Sequence, residues 1–222
     1  MLAALPAKTY RRMAPGLEQV ELAFGETLFE AGGTLTHAYF PNNSMVSLVA
    51  VVDGGDAVEV GVVGRDSIVG IPLGLGTSTS PVRGLVQGAG SAMRMSAERF
   101  AAELDQSAEL RKLLARCAYV SMATAMQLAA CNKAHLLAPK LARWLLMVRD
   151  RLGRDEFPLT QEFLAQMLGV RRAGVTEAAG ALQERKLISY SRGHIRLLEL
   201  EALRDAACPC YGVIRKLEKG ES

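Results

Sequence analysis

The stretch "LTQEFLAQMLGVRRAGVTEAAGALQERKLIS", residues 159–189, decides the reading of this chain. Thr160 is a good N-cap, and "QEFLAQML" follows with Phe163, Leu164, Met167 and Leu168 at helical spacing. Gly169 ends that helix and allows a tight turn. A second helix is expected from Arg171 to Lys186, with Val175, Ala178, Ala179 and Leu182 inward. Small Ala165 sits where two crossing helices must approach closely. "LISYS" and "HIRLLEL" then flank Arg192-Gly193, the pattern of a β-hairpin. Helix, glycine turn, helix and hairpin together describe a winged helix-turn-helix.

The second helix opens against its own interest. Arg171 and Arg172 stand in its first turn, where the macrodipole favours Asp or Glu. Gly174 follows, and an interior glycine costs roughly 1 kcal/mol relative to alanine. A helix whose N-terminus enters the major groove finds its negative partners in phosphates and guanine edges. On this reading Gly174 permits close approach of backbone to DNA.

Charge is distributed in keeping with that. The formal net charge is only +3. From Pro139 onward there are 15 Lys/Arg against 11 Asp/Glu, a net of +4, and the first 138 residues carry 11 against 12, a net of −1. The start, "MLAALPAKTYRRM", has a short apolar run followed by its basic residues, the reverse of an export signal, so a cytoplasmic protein is expected. Four cysteines in 222 residues do not suggest a secreted disulfide framework.

Upstream, residues 17–95 have the texture of an all-β region. Short apolar runs, "VELAF", "AYFP", "MVSLVAVV", "AVEVGVV", "VRGLVQ" and "SAMRM", alternate with glycine and proline punctuation. Asp53-Gly54-Gly55 between two such runs is a hairpin signal. "GIPLGLGTSTSP" (70–81) cannot be a regular strand and reads as a loop within a small barrel or sandwich. From Ala97 to Leu137 glycine and proline are absent, which predicts a long helix preceded by a short one. About 30 residues would span roughly 45 Å.

Residues 117–132 carry no charge, but fall short of the roughly 20 apolar residues of a membrane span, and no membrane partner is expected. Leu110, Leu114, Cys117, Ser121, Thr124, Leu128 and Cys131 form one stripe, and Ala115, Ala118, Met122, Ala125 and Ala129 a second. A helix with two apolar faces needs two partners. The expectation is a homodimer whose interface draws on Leu114, Cys117, Ser121, Met122, Ala125 and Leu128. Pro139 marks a break, and "KLARWLLMVRDRLG" (140–153) reads as an amphipathic helix with Arg143, Arg149 and Arg151 mostly off its apolar face.

On these residues the chain resembles the Crp/Fnr family of transcription regulators, which includes the cyclic-AMP receptor protein. The resemblance implies an α+β fold in three parts: a β-roll sensor over 1–105, a dimerisation helix over 106–138, and a winged helix-turn-helix over 139–222. It implies double-stranded DNA as partner, a near-palindromic operator read by helix 171–186, and RNA polymerase as a further partner if the protein activates. Thr160 and Gln161 would lie near the DNA backbone. Arg172 falls at a guanine-reading position, where a guanidinium pairs with O6 and N7. Ala173 stands where a glutamate is common, and Glu177 where a second arginine is usual. Thr176 could meet a base or a thymine methyl, and Arg192 and His194 would meet phosphates from the wing.

The family's cyclic-nucleotide cassette is degenerate here. Gly70 matches its glycine, but Ile71 replaces the ribose-binding glutamate and Ser80 or Pro81 replaces the phosphate-binding arginine. Arg83 is nearby, next to a proline-containing turn. A cyclic nucleotide would leave its phosphate uncompensated, so the effector is unknown and a cyclic nucleotide is not expected. The iron–sulfur branch of the family uses cysteines near the N-terminus, and this chain has none before Cys117. Cys208-Pro-Cys210 supplies half a zinc site, and no cofactor or metal is expected. His37 is the only histidine in the β region, too few for a cupin-like metal enzyme, so no catalysis is expected. The alternative function is a ligand-binding β-roll whose helical C-terminal region makes protein–protein contacts.

Overall fold

The computed structural model describes residues 1–52 and 57–221; the turn expected at Asp53-Gly54-Gly55 lies outside them. Two compact units are formed: Met1–Val51 with Gly61–Ser121, and Val52–Val60 with Met122–Ser222.

Helix α1 (Ala7–Met13) is followed by strands β1 (Glu18–Leu22), β2 (Thr27–Phe29), β3 (His37–Pro41), β4 (Met45–Val51), β5 (Ala57–Val63), β6 (Arg83–Gly88) and β7 (Gly90–Ser96), all in the first unit except the opening residues of β5, which belong to the second. They form two sheets, β1-β7-β3 and β2-β6-β4-β5. The described pairings are antiparallel. The inward faces meet in a core of Leu22, Phe29, Leu35, Val46, Val69 and Val86. α1 and β2 were not visible in the sequence pattern.

Helix α2 (Ala97–Gln106) starts at Ser96, whose hydroxyl accepts from the Arg99 N–H. Helix α3 (Ala108–Ala134) follows after a one-residue break at Ser107. Phe100 and Leu104 of α2 and Leu110, Leu114 and Cys117 of α3 join Met13, Phe40 and Met95 in a second core. Glu103 is buried there, and its carboxylate pairs with Arg12 at 2.7 Å and Arg99 at 3.1 Å. A buried carboxylate needs such partners, and these tie α1 to α2.

By length and composition α3 could cross a bilayer. Its buried Leu110, Leu114 and Cys117 belong to the second core. Leu114 and Cys117 are therefore committed inside the protomer, and Leu128 is buried as well. This corrects their expected place in a dimer interface. The second stripe is the open one: Ala115, Met122, Ala125 and Ala129 are exposed and Ala118 half-buried, and Tyr119 and Met126 beside it are exposed too. Ser121 is half-buried.

In the second unit helix α4 (Leu137–Leu152) begins before Pro139, which sits in its first turn rather than ahead of it. Proline is tolerated there because first-turn N–H groups have no intrahelical partner. Helices α5 (Gln161–Leu168), α6 (Arg172–Glu184), α7 (Leu200–Ala206) and α8 (Cys210–Lys219) complete the helical part. Helix α4 packs against α6, α7 and α8. Residues 140–148 are consequently buried all round, Arg143 included, and so is Arg151. Lying off the apolar face thus does not leave Arg143 and Arg151 exposed. Arg151 donates to the Met147 carbonyl at 3.0 Å and pairs with Glu218.

Strands β8 (Glu156–Pro158), β9 (Ile188–Ser191) and β10 (His194–Leu197) make a sheet of order β8-β10-β9. The β9–β10 hairpin is the expected one. Its two turn residues, Arg192 (φ 48°) and Gly193 (φ 76°), both have positive φ, as a two-residue hairpin turn of matching twist requires. Strand β8 was not expected; it is three residues long and held by pairing to β10.

Candidate nucleic-acid interface

The helix pair is set by local chemistry. The Thr160 hydroxyl accepts from the Phe163 N–H at 3.1 Å and fixes the start of α5. Gly169 closes α5 with φ 62°, a left-handed conformation costly for any residue with a Cβ. Leu164, Ala165, Met167 and Leu168 of α5 and Val175, Ala178, Ala179 and Leu182 of α6 are buried. The apolar spacing therefore turns one face of α6 inward and leaves the other free.

The free face carries the expected reading residues. Arg171, Arg172, Ala173, Thr176 and Glu177 are all exposed. Arg171 is the N-cap residue of α6, and no side chain caps the helix. Thr176 donates its hydroxyl to Gln161 Oε1 at 3.0 Å, and the Arg172 Nε–H reaches the same oxygen at 3.5 Å. Gln161 thus gathers Arg172 and Thr176 across the two helices. Burial raises the pKa of Tyr190 in the wing, and the nearby Arg172 charge opposes that rise. Among the described residues neither Arg171 nor Arg172 has an ion-pair partner.

Gly174 is different. A Cβ on it would meet Leu137 Cδ2 at 3.2 Å, so the residue faces α4 inside the unit. Its smallness serves helix packing, a reason for glycine here apart from any approach to DNA. In the wing, Arg192 and His194 are exposed. Arg196 is tied across the sheet to Glu156 at 2.6 Å.

The cassette loop is built quite otherwise. Residues Ile71–Leu75 form a short 3-10 helix. Gly70 has φ 110°, and a Cβ there would lie 3.2 Å from the Ala38 Cα. A Cβ on Gly74 would lie 1.9 Å from Leu114 Cδ2. These glycines admit α3 and β3 to close packing. Ser80 is buried, with its hydroxyl donating to the Val82 carbonyl at 2.9 Å. Pro81 is exposed, and Arg83 pairs with Glu30 at 2.7 Å. His37 is half-buried, its Nδ1 3.0 Å from the Thr36 hydroxyl.

Cys208 and Cys210, half a zinc site by sequence, are joined by two further ligand-type side chains. Cys131, His135, Cys208 and Cys210 bring their ligand-type atoms within 4.8 Å of one another. Sequence reasoning missed Cys131 and His135 because 77 residues separate Cys131 from Cys208. The i, i+4 spacing of Cys131 and His135 was the available signal. Burial pushes the Cys131 thiol up to about 12, with the Arg143 charge opposing the shift.

An exposed basic helix start on a helix-turn-helix, backed by a three-stranded sheet, is the arrangement of a winged helix-turn-helix domain. Residues 139–206 match the Crp-like helix-turn-helix domain family. No curated protein sequence matches the chain. Solved structures share its fold. A Crp/Fnr-family regulator from Eubacterium rectale matches with TM-score 0.71 and 16% identity over 92% of this chain and 95% of that one. A Crp/Fnr-family regulator from Thermus thermophilus matches with TM-score 0.69 and 21% identity over 86% and 98%. The cyclic di-GMP-responsive global regulator of Xanthomonas campestris matches with TM-score 0.65 and 17% identity over 87% and 100%. Residues 139–206 therefore carry a Crp-like helix-turn-helix domain, and the chain shares the fold of solved Crp/Fnr-family regulators.

Proposed function

We propose that the protein acts as a homodimer that reads a near-palindromic operator with the N-terminal half of α6. The observation that carries this reading is the exposed, unpaired Arg171-Arg172 at the start of a helix whose opposite face is buried. Arg172 reads guanine, and Thr176, positioned with it through Gln161, meets the neighbouring base. Arg171, Thr160, Arg192 and His194 hold the phosphate backbone. Ala173 and Glu177 depart from the family's usual reading residues, so the operator differs from that of the cyclic-AMP receptor protein.

The dimer interface is the open stripe of α3, centred on Met122 and Ala125 and extended by Tyr119 and Met126. Contiguous exposed apolar side chains on a long helix favour a second copy in the same register. On this reading residues 1–105 are a sensor-like β-roll, 106–138 the dimerisation helix and 139–222 the DNA-binding part. The effector is not a cyclic nucleotide, because the loop's polar groups are already engaged within the protein: Ser80 with Val82 and Arg83 with Glu30. The protein works in the cytoplasm, where its DNA is, and meets RNA polymerase if it activates. Fluorescence anisotropy on a duplex enriched from random sequence, combined with sedimentation, tests the reading. Two chains per duplex with saturable binding are expected; one chain per duplex, or no sequence preference, contradicts it.

A further inference from the structure

The thiol–imidazole cluster lies outside the DNA-reading surface and is used by nothing described so far. We propose that Cys131, His135, Cys208 and Cys210 bind one zinc ion through three thiolates and one imidazole. Cys131 lies in the last turn of α3 and His135 immediately after it. The His135 N–H donates to the Cys131 carbonyl at 3.1 Å, continuing the helical pattern, so the two side chains share a face one turn apart. Cys208 and Cys210 flank Pro209 at the start of α8. All three cysteines are buried, and His135 is half-buried at the edge.

The distances suit a single small ion. The Cys131 and Cys208 sulfurs are 3.5 Å apart, and Cys210 Sγ is 3.7 Å from His135 Nδ1. Tetrahedral zinc at about 2.3 Å from sulfur sets neighbouring ligand atoms about 3.8 Å apart. Thiolates with imidazole at tetrahedral spacing favour zinc over the oxygen-seeking cations. A disulfide between Cys131 and Cys208 would leave Cys210 and His135 without a purpose in the cluster.

The surroundings fit the charge of the complex. Three thiolates on Zn²⁺ leave a net charge of −1, and binding releases the three thiol protons to solvent. The buried guanidinium of Arg143 acts on Cys131, and its Nε lacks a hydrogen-bond partner among the described residues. Gln127 Nε2 donates to Cys210 Sγ at 3.1 Å, the kind of outer contact that orients a ligand. The Cys208 N–H donates to the Pro139 carbonyl at 3.2 Å, so the same segment also touches the first turn of α4. Zinc here would staple the end of α3 to the start of α8.

The test uses the full chain purified under reducing, anaerobic conditions. Metal analysis should find one zinc per chain. Cobalt(II) added to metal-free protein should give the intense visible bands of a tetrahedral site together with thiolate-to-cobalt charge transfer. Cys208→Ser should lose both signals. His135→Cys guards against misfolding: it should keep cobalt and strengthen the charge-transfer band. Folding of each variant is checked by circular dichroism. A folded wild-type chain that retains no zinc and gives no tetrahedral cobalt spectrum overturns the proposal. So does a metal-free chain about 2 Da lighter than its reduced mass, the signature of a disulfide.

Discussion

The turn at Gly169 and the loop after Gly70 both hinge on a glycine in the left-handed region, and they end in opposite conditions. Past Gly169, Arg171, Arg172 and Glu177 are exposed and have no ion-pair partner among the described residues. Past Gly70 the polar groups at the cassette positions have partners within the chain. Ser80 bonds to Val82, Arg83 pairs with Glu30, and Gly74 gives its space to Leu114. The contrast separates a surface kept free for a partner from a loop turned over to the protein's own packing. A helix start with two unmatched cations is locally unfavourable, whereas a loop closed by its own bonds needs no ligand to be satisfied.

Variants can break that contrast in order of expected effect. Met122→Asp comes first. It would place a carboxylate in the apolar seam of each copy, at a cost of several kcal/mol, about 3 or more, for burying unpaired charges. Sedimentation should show monomers at micromolar concentration, and operator affinity should fall by more than about 100-fold; an intact dimer would remove the proposed interface.

Arg172→Ala is next. Loss of one bidentate guanine contact should weaken operator binding by about 1–3 kcal/mol and relax preference at one base pair per half-site. Binding measured by anisotropy that stays within twofold of wild type would reassign the reading helix.

Gly74→Ala should destabilise the first unit by about 1–3 kcal/mol through overpacking against Leu114 and Leu104. Denaturant unfolding measures this, and a midpoint equal to wild type would show that the loop has room to spare. Arg83→Ala should have the smallest effect, below about 1 kcal/mol, because its pair with Glu30 is largely exposed. Titration calorimetry with millimolar cyclic AMP should give no heat for wild type. A saturable heat abolished by Arg83→Ala would show that the arginine serves a phosphate after all.

Much of this was legible in the residues. The apolar spacing of α5 and α6, Gly169 and the Arg192-Gly193 turn are local signals, and local signals survive in a one-dimensional reading. Short elements did not. β2 and β8 have three residues each, and exist because a longer neighbour pairs with them. Arg143 and Arg151 look solvated by type, but α4 is enclosed by three other helices and takes them inside. The packing reason for Gly174 was hidden because its neighbour Leu137 is distant in sequence. Cys131 and His135 belong with Cys208 and Cys210 only after the chain has folded back on itself.

The most direct test of the central claim is selection of bound duplexes from a random pool by wild type and by Arg172→Ala in parallel. Wild type should enrich a two-fold symmetric site with its half-sites about one DNA turn apart, each containing a guanine whose preference disappears in the variant. Enrichment of the same motif, with the same guanine and comparable affinity, by Arg172→Ala would contradict it.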